Sequence, residues 1–314
     1  MNTLLLDVHA HFTPPRSVET DRALWEAGRR EHFLLPEPFT WRLDETLAVM
    51  DETGTAMQLL SKIPTEHGTL RDSNDYGAEI VGEHPSRFGL LAALPTDDPD
   101  RARQEIRRHG TADGWAVTTV YNRHSLADPA LDPVWQELDD RRAVVFVHPN
   151  AYAPASAGLP APLAEVTFDT GRTVVAMLYA GVFTRFPNIT FVIAHAGGTL
   201  PVLAGRLALL GAEAWVPNPR DLSRDDIAAT LRRLWVDTAA SASTQQLAAA
   251  AATVGDGHIV YGSDWGVPCT TAHSLVRNIE GLQTTTALSP VARTRVRNRA
   301  RELFPDAVRR TRPR

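Results

Sequence analysis

The feature that most constrains this chain is a regular alternation of short apolar segments with helical patterns, from the first residues almost to the last. Segments such as AVVFVHP and TFVIAHA are continuously apolar, which is typical of parallel strands covered by helices on both faces. Eight strands are predicted, at residues 4–10, 56–63, 88–95, 115–121, 143–149, 190–196, 234–239 and 258–265. The alternation therefore predicts an α/β chain built from βα units.

Eight such units without internal repeats predict a (β/α)₈ TIM barrel that forms a single domain over residues 1–314. A doubly wound open sheet is the main rival, but it usually has a glycine-rich phosphate loop after its first strand. Here HAHFTPP follows instead. Residues 14–41 read as a long irregular insertion after the first strand, either a lid or wall of the site or an excursion without a role. Residues 305–314 are expected to be a frayed tail.

Composition excludes several classes of protein. The net charge of −5 argues against a nucleic-acid partner, and the arginines after position 293 alternate with apolar residues, as on a solvated helix face. The single cysteine, Cys269, leaves no intramolecular disulfide. The apolar N-terminal stretch is too short for a signal peptide, and no run is long enough for a membrane span. We therefore expect a cytoplasmic protein without a membrane partner.

Chemistry-bearing residues concentrate at the C-terminal ends of the predicted strands. The first strand ends in an H-x-H pair, and two later strands and the last one each end in a histidine or an aspartate. These residues are His9, His11, His148, His195 and Asp264. In a barrel these strand ends meet at one mouth, and the period of two along a strand places both imidazoles of H-x-H on the same face.

Each residue alone has an ordinary explanation. An H-x-H pair is a weak motif, His148 suits a core position, His195 suits a turn, and Asp264 suits a helix N-cap. Together, however, five such groups at one mouth would be costly without hydrogen bonds or a shared cation. Imidazoles with one carboxylate suit Zn²⁺, with Mn²⁺ or Fe²⁺ as alternatives. We expect one divalent metal in a catalytic site and no organic cofactor.

The motifs DVHAHFTPP, LAVMDETG, FVHP, FPNITFVIAHAGGTLPVLAGR, YGSDW and ARELFP resemble the amidohydrolase superfamily, in particular its branch around α-amino-β-carboxymuconate-ε-semialdehyde decarboxylase. They cover nearly the whole chain in the family's order. The resemblance implies that His9, His11, His148 and Asp264 bind the metal. It also implies that His195 lies beside the metal as an acid/base or hydrogen-bond donor.

The resemblance also implies a substrate-binding arginine. Arg206 stands eleven residues after His195, at the position of an arginine that reaches a substrate carboxylate in the family, in some members across a dimer interface. An exposed helix arginine is the alternative. A homodimer or higher homo-oligomer is expected on this basis.

Two departures from the decarboxylase pattern are visible. Thr46 stands near the position of an arginine in the semialdehyde decarboxylases, and Gly266 follows GSDW where many relatives have proline. The segments FDTGRTVVAMLYAGVFTRFP and HAGGTLP resemble the 6-methylsalicylate decarboxylase subgroup, whose substrate has one carboxylate.

The leading hypothesis is metal-dependent, nonoxidative decarboxylation of a salicylate-type ortho-hydroxybenzoate or a related unsaturated carboxylic acid. Proton delivery to the ring carbon by Asp264 or His195 would avoid an aryl carbanion, and Trp265 would form a wall of the pocket unless it only packs in the core. Metal-dependent hydrolysis of a lactone or amide on the same residues is the alternative. A catalytically silent binding scaffold is a remote third hypothesis, which predicts that ligands are lost.

Overall fold

Seven parallel strands form one sheet in this computed structural model, which describes residues 5–150 and 154–311. The sheet order is β1-β2-β3-β4-β7-β8-β9, and each pair of neighbours is parallel. The strands are β1 (Leu5–His11), β2 (Thr55–Ser61), β3 (Phe88–Ala93), β4 (Gly114–Thr118), β7 (Val144–His148), β8 (Thr190–Ile193) and β9 (Trp235–Val236). A separate antiparallel pair consists of β5 (Val120–Tyr121) and β6 (His124–Ser125). Residue 4, predicted to begin the first strand, lies outside the described residues.

The predicted eighth strand, at 258–265, takes part in the sheet only through isolated bridges. Val236 pairs with Ile259 on one side, and Ala10 pairs with Trp265 on the other. His11 N–H also donates to the carbonyl of Trp265 (2.7 Å). The segment thus joins the last strand to the first, and the curled sheet with its helices is an α/β fold of the TIM-barrel type. The chain leaves the extended conformation at Asp264, where φ is +59°.

Helices connect the strands and cover their outer face. They are α1 (Val18–Arg30), α2 (Leu43–Thr53), α3 (His67–Glu83), α4 (Pro99–Arg108), α5 (Asp132–Asp140), α6 (Glu165–Tyr179), α7 (Val182–Arg185), α8 (Leu200–Leu210), α9 (Arg224–Arg232), α10 (Thr244–Val254), α11 (Ala272–Thr284), α12 (Pro290–Asn298), α13 (Ala300–Leu303) and α14 (Pro305–Arg309). Short 3₁₀ turns occur at Pro129–Leu131, Ala161–Leu163, His195–Gly197 and Asp256–His258. None of the helices in the described residues is long and apolar enough to cross a membrane. The cytoplasmic location stays a prediction.

The segment 14–41 differs from the irregular insertion that we expected, because it contains the 13-residue helix α1. Ser17 caps this helix by accepting from the N–H of Thr20, and acidic residues in its first turn and arginines in its last turn match the helix dipole. Asp21 accepts from Arg16 (2.7 Å) and from Thr40 (2.8 Å). One carboxylate therefore holds the beginning and the end of the segment together.

The C-terminus also differs from the frayed tail that we expected. Residues Pro305–Arg309 are helical, and Arg310 donates to both oxygens of Asp113 (2.9 Å each). Phe304 and Ala307 are buried in an apolar cluster with residues near the N-terminal ends of the strands, including Leu6, Met57 and Val144. These last helices close that end of the sheet, which leaves the opposite end for the site. Residues 312–314 lie outside the described residues.

Candidate metal centre

The fold brings four of the predicted site residues together at the C-terminal ends of the strands. His9 and His11 lie on β1, His148 ends β7, and Asp264 follows the segment that joins β9 to β1. Each offers one ligand atom, and the four atoms all lie within 4.8 Å of one another. His9, His11 and Asp264 are buried, while His148 is half-buried. Residues as far apart in sequence as 9 and 264 thus form one compact group of nitrogen and oxygen donors.

Within this group the ligand atoms are in close contact. Nε2 of His9 lies 3.1 Å from Nε2 of His11. Oδ1 of Asp264 lies 3.1 Å from each of these two nitrogens. One carboxylate oxygen therefore faces two imidazoles, an arrangement that either shares a proton or shares a cation.

Each imidazole is anchored through Nδ1, and Nε2 points into the group. Nδ1 of His11 lies 3.1 Å from the carbonyl of Ser61, and Nδ1 of His148 lies 2.8 Å from the carbonyl of Pro149. A carbonyl can only accept, so both Nδ1 atoms carry the proton and both Nε2 atoms have a free lone pair. Nε2 of His148 is buried without a hydrogen-bond partner in the described residues. This donor set fits a divalent cation.

The electrostatics of the group favour the same conclusion. Burial, with the neighbouring histidines, holds the pKa of His148 well below its usual value, and burial also lowers the pKa of His11. Burial would lower the pKa of His9 too, but the carboxylates of Asp237 and Asp264 outweigh it and raise that pKa to about 10. For Asp264, burial acts to raise the pKa, but His9 and the hydrogen bonds from the histidines hold it well below its usual value. A divalent cation would thus take the place of the proton on His9.

His195 lies beside this group but is not one of the four. It is 8% exposed, and its Nε2 lies 3.6 Å from Oδ2 of Asp264. Its Nδ1 is buried without a hydrogen-bond partner in the part of the chain that the structure describes. This is a position from which an imidazole can exchange a proton with the neighbouring carboxylate or with a bound molecule.

Trp265 and Gly266 shape the edge of the site next to Asp264. Nε1 of Trp265 donates to Oγ1 of Thr46 (3.3 Å). Thr46, which stands near the position of an arginine in the semialdehyde decarboxylases, therefore accepts the indole N–H. Gly266 has φ +95°, and a Cβ there would lie 2.0 Å from the carbonyl oxygen of His11. Proline cannot adopt this φ. The departure from proline at position 266 thus follows from the close approach of the two chain segments.

Arg206 does not join the group within this chain. It is exposed on α8, and no described residue forms a hydrogen bond or an ion pair with it. The helix begins five residues after His195, so the arginine lies near the site in sequence but points to the surface.

Sequence reasoning missed two buried carboxylates that support the group. Oδ2 of Asp237 lies 2.8 Å from Nδ1 of His9. Asp7 accepts from the backbone N–H groups of His9 and Ser263 and from the side chain of Gln58, each at 3.0 Å. The signal was present, since Asp237 directly follows β9 and Asp7 precedes His9 by two residues on the first strand.

Comparisons with known proteins agree with this geometry. The family model described as Amidohydrolase matches residues 6–305. The chain is 33% identical to the 6-methylsalicylic acid decarboxylase acuB of Aspergillus aculeatus, and the match covers 96% of each chain. It is 32% identical to the decarboxylase yanB of Aspergillus niger, covering 96% of this chain and 87% of that protein. A solved dihydroxybenzoic acid decarboxylase from a Polaromonas species, with bound manganese and 2-nitroresorcinol, has a TM-score of 0.76 at 21% identity and covers 96% of this chain and 97% of that one.

Proposed function

The chain belongs to the amidohydrolase family, and from this we propose that it catalyses the metal-dependent, nonoxidative decarboxylation of a salicylate-type ortho-hydroxybenzoate. The observation that carries the proposal is the compact group of three imidazoles and one carboxylate at the mouth of the fold. The similar proteins named 6-methylsalicylic acid decarboxylase support the substrate class. A related unsaturated carboxylic acid is the wider class from which the substrate comes.

The proposed metal site uses His9, His11, His148 and Asp264, and it needs no organic cofactor. Three imidazoles and one carboxylate are ligands that Zn²⁺ accepts, as do Mn²⁺ and Fe²⁺. Zn²⁺ is our expectation from the ligand types, and the manganese in the Polaromonas structure makes Mn²⁺ the first alternative to test. When bound, the cation supplies an electrophile that stabilises negative charge developing on the substrate oxygens.

The protein's own residues supply the proton. Direct loss of CO₂ would leave an aryl carbanion, so the ring carbon that bears the carboxylate must first accept a proton. Asp264 and His195 are the proposed donors, since Oδ2 of Asp264 and Nε2 of His195 lie 3.6 Å apart at the edge of the ligand group. The bond to the carboxylate carbon then breaks, CO₂ leaves, and the electron pair of that bond restores the aromatic ring. Trp265 is proposed as a wall of the pocket.

A substrate panel tests the proposal. Metal-loaded protein is incubated with 6-methylsalicylate, with salicylate, and with an aromatic lactone, and both CO₂ and organic products are followed. We expect CO₂ and the corresponding phenol in equal amounts from a hydroxybenzoate, and no turnover of the lactone. Hydrolysis of the lactone without release of CO₂ would instead establish the hydrolase alternative on the same residues.

Residues 14–41 are proposed as a lid or wall over the mouth. Glu31, next to the end of α1, accepts a hydrogen bond from the backbone N–H of Ala155 (3.0 Å), in the loop after β7. The segment therefore contacts the loop that follows one of the proposed ligand strands. Its two ends are held together by Asp21, which suits a rigid wall better than a mobile excursion.

A homodimer or higher homo-oligomer is proposed through α8. Only Leu200 is buried among the residues of this helix, while Val202 is 80% and Leu209 is 60% exposed. Trp215, just beyond the helix, is 70% exposed. An apolar helix of this kind is usually covered by a partner, and the family's dimeric members make a second copy the proposed partner.

The Leu209→Asp variant is expected to shift the protein toward monomer, because a charge in an apolar interface is costly to desolvate. Sedimentation velocity at micromolar concentration measures this. Val276→Asp, at an exposed apolar position on α11, is the control and should leave the oligomer unchanged. A wild-type protein that sediments as a monomer would remove the proposed oligomer.

The Arg206→Ala variant is expected to raise KM about 10- to 100-fold with little change in kcat, since a lost arginine–carboxylate contact mainly weakens binding. Steady-state kinetics with a hydroxybenzoate measure both constants. The control is Arg232→Ala, on the exposed end of α9, which should not change KM. An unchanged KM in Arg206→Ala would remove this residue from the site.

A further inference from the structure

Asp237 occupies a fully buried position between the proposed metal ligand His9 and the proposed proton donor His195. We infer that Asp237 is a positioning residue, which fixes the orientation of the His9 imidazole toward the metal and holds the turn that carries His195. The inference rests on the proposed metal site. It adds a residue that contacts Nδ1 of His9, while Nε2 of the same ring faces the other ligand atoms.

The contact with His9 determines which nitrogen of the ring faces the cation. Oδ2 of Asp237 lies 2.8 Å from Nδ1 of His9. A carboxylate can only accept, so Nδ1 must carry a proton and Nε2 is the nitrogen that can offer its lone pair to a cation. Nε2 is the atom that lies 3.1 Å from Nε2 of His11 and 3.1 Å from the carboxylate of Asp264. Asp237 therefore prepares His9 as a ligand through Nε2.

The other oxygen of Asp237 holds the backbone of the turn at His195. Oδ1 accepts from the N–H of His195 (3.0 Å) and from the N–H of Ala239 (2.9 Å). The backbone carbonyl of Asp237 also accepts from the N–H of Ala196 (3.0 Å). His195 and Ala196 have φ of +56° and +54°, which is unfavourable for residues other than glycine. These three hydrogen bonds compensate for that backbone strain.

The backbone at Gly262 passes close to both His9 and Asp237. A Cβ at position 262 would lie 2.8 Å from Cβ of His9 and 3.0 Å from Cβ of Asp237, so Gly262 lets the backbone pass directly against both residues. A side chain at position 262 would therefore displace one of the two residues.

Asp237→Asn separates positioning from a merely structural role, because its amide has nearly the shape of the carboxylate. With the amide oxygen kept toward the N–H groups of His195 and Ala239, the amide nitrogen donates to Nδ1 of His9. Nδ1 must then accept, and the ring proton moves to Nε2, where it blocks the metal. The reverse orientation of the amide would place its NH₂ group against the backbone N–H groups of His195 and Ala239. Donors would then face donors, so this orientation is disfavoured.

We expect Asp237→Asn to bind Zn²⁺ or Mn²⁺ about 10- to 100-fold more weakly than the wild type. Competition with a chelator of known affinity measures the metal Kd, and urea unfolding of the metal-free proteins measures stability. Asp139→Asn is the matched control. Asp139 lies on α5, is also buried, and accepts from the backbone N–H and the side chain of Asn188. Its metal Kd should equal that of the wild type.

Equal metal Kd values for wild type and Asp237→Asn would overturn the inference while leaving the proposed function in place, whereas a wild type that binds no metal would end the proposed site itself. If the variant fails to fold, ¹⁵N NMR of the histidines in the zinc-loaded wild type tests the inference instead. Protonated Nδ1 and metal-bearing Nε2 on His9 support the inference, and metal on Nδ1 contradicts it.

Discussion

The Asp264→Ala variant is expected to lose at least about 10³-fold in kcat/KM while the fold stays largely intact. Oδ1 of Asp264 lies 3.1 Å from Nε2 of both His9 and His11, and Oδ2 lies 3.6 Å from Nε2 of His195. The substitution therefore removes the single carboxylate of the proposed ligand set together with the partner of the proposed proton donor. Both losses act on the reaction, and neither removes apolar burial.

Kinetics at saturating metal and urea unfolding together measure this prediction. Because Asp264 has φ +59°, alanine there adds backbone strain that asparagine tolerates better. Asp264→Asn is therefore the second variant, and it should lose activity to a similar degree with less effect on stability. Asp256→Ala, at an exposed position, is the control. Normal turnover by either Asp264 variant would refute the role that we assign to this residue.

The His195→Asn variant is expected to lower kcat by about 10²- to 10⁴-fold, the range for loss of a general acid or base, while metal binding is largely retained. His195 lies beside the four ligand atoms and is not one of them, so its removal leaves the ligand set complete. Asparagine also tolerates the positive φ of the turn. The decrease should therefore appear in kcat at saturating metal and not in the metal content.

The control for this variant is His258→Asn. His258 stacks on Trp235 with the ring centroids 4.7 Å apart, at the start of the segment that ends in Asp264. The His258→Asn variant should keep both its bound metal and its kcat. If His195→Asn retains kcat within about twofold, a factor far below that expected for general acid–base catalysis, Asp264 alone would deliver the proton.

The fold was predicted from sequence where each element has a local signal. Continuous apolar segments such as AVVFVHP and TFVIAHA located strands such as β7 and β8. The predicted eighth strand is instead an irregular segment that pairs with β9 and β1 through single bridges. These pairings depend on the closure of the sheet, which no local pattern indicates. The prediction of a frayed C-terminus was wrong because Arg310 binds Asp113, which lies 197 positions away in sequence. No local pattern indicates such a contact.

The four residues of the ligand group were also predicted from sequence, because their positions carry a signal. The predicted ligands lie at strand ends, and parallel strands bring those ends together whatever their distance in sequence. Asp237 and Asp7 lie on or directly after strands, but this position alone does not show that they accept from backbone N–H groups and from Nδ1 of an imidazole, so both were missed. Arg206 has the family's spacing, but one chain alone leaves it exposed.

Elemental analysis of the purified, dialysed protein tests the central claim most directly, because everything above depends on three histidines and an aspartate holding one cation. We expect about one divalent metal per chain in the wild type and in the control variant His84→Ala, at a half-buried position outside the ligand group, and a small fraction of that in His148→Ala. Chelation should abolish decarboxylation, and adding Zn²⁺ or Mn²⁺ should restore it. A metal-free wild type that decarboxylates at its full rate would contradict the account.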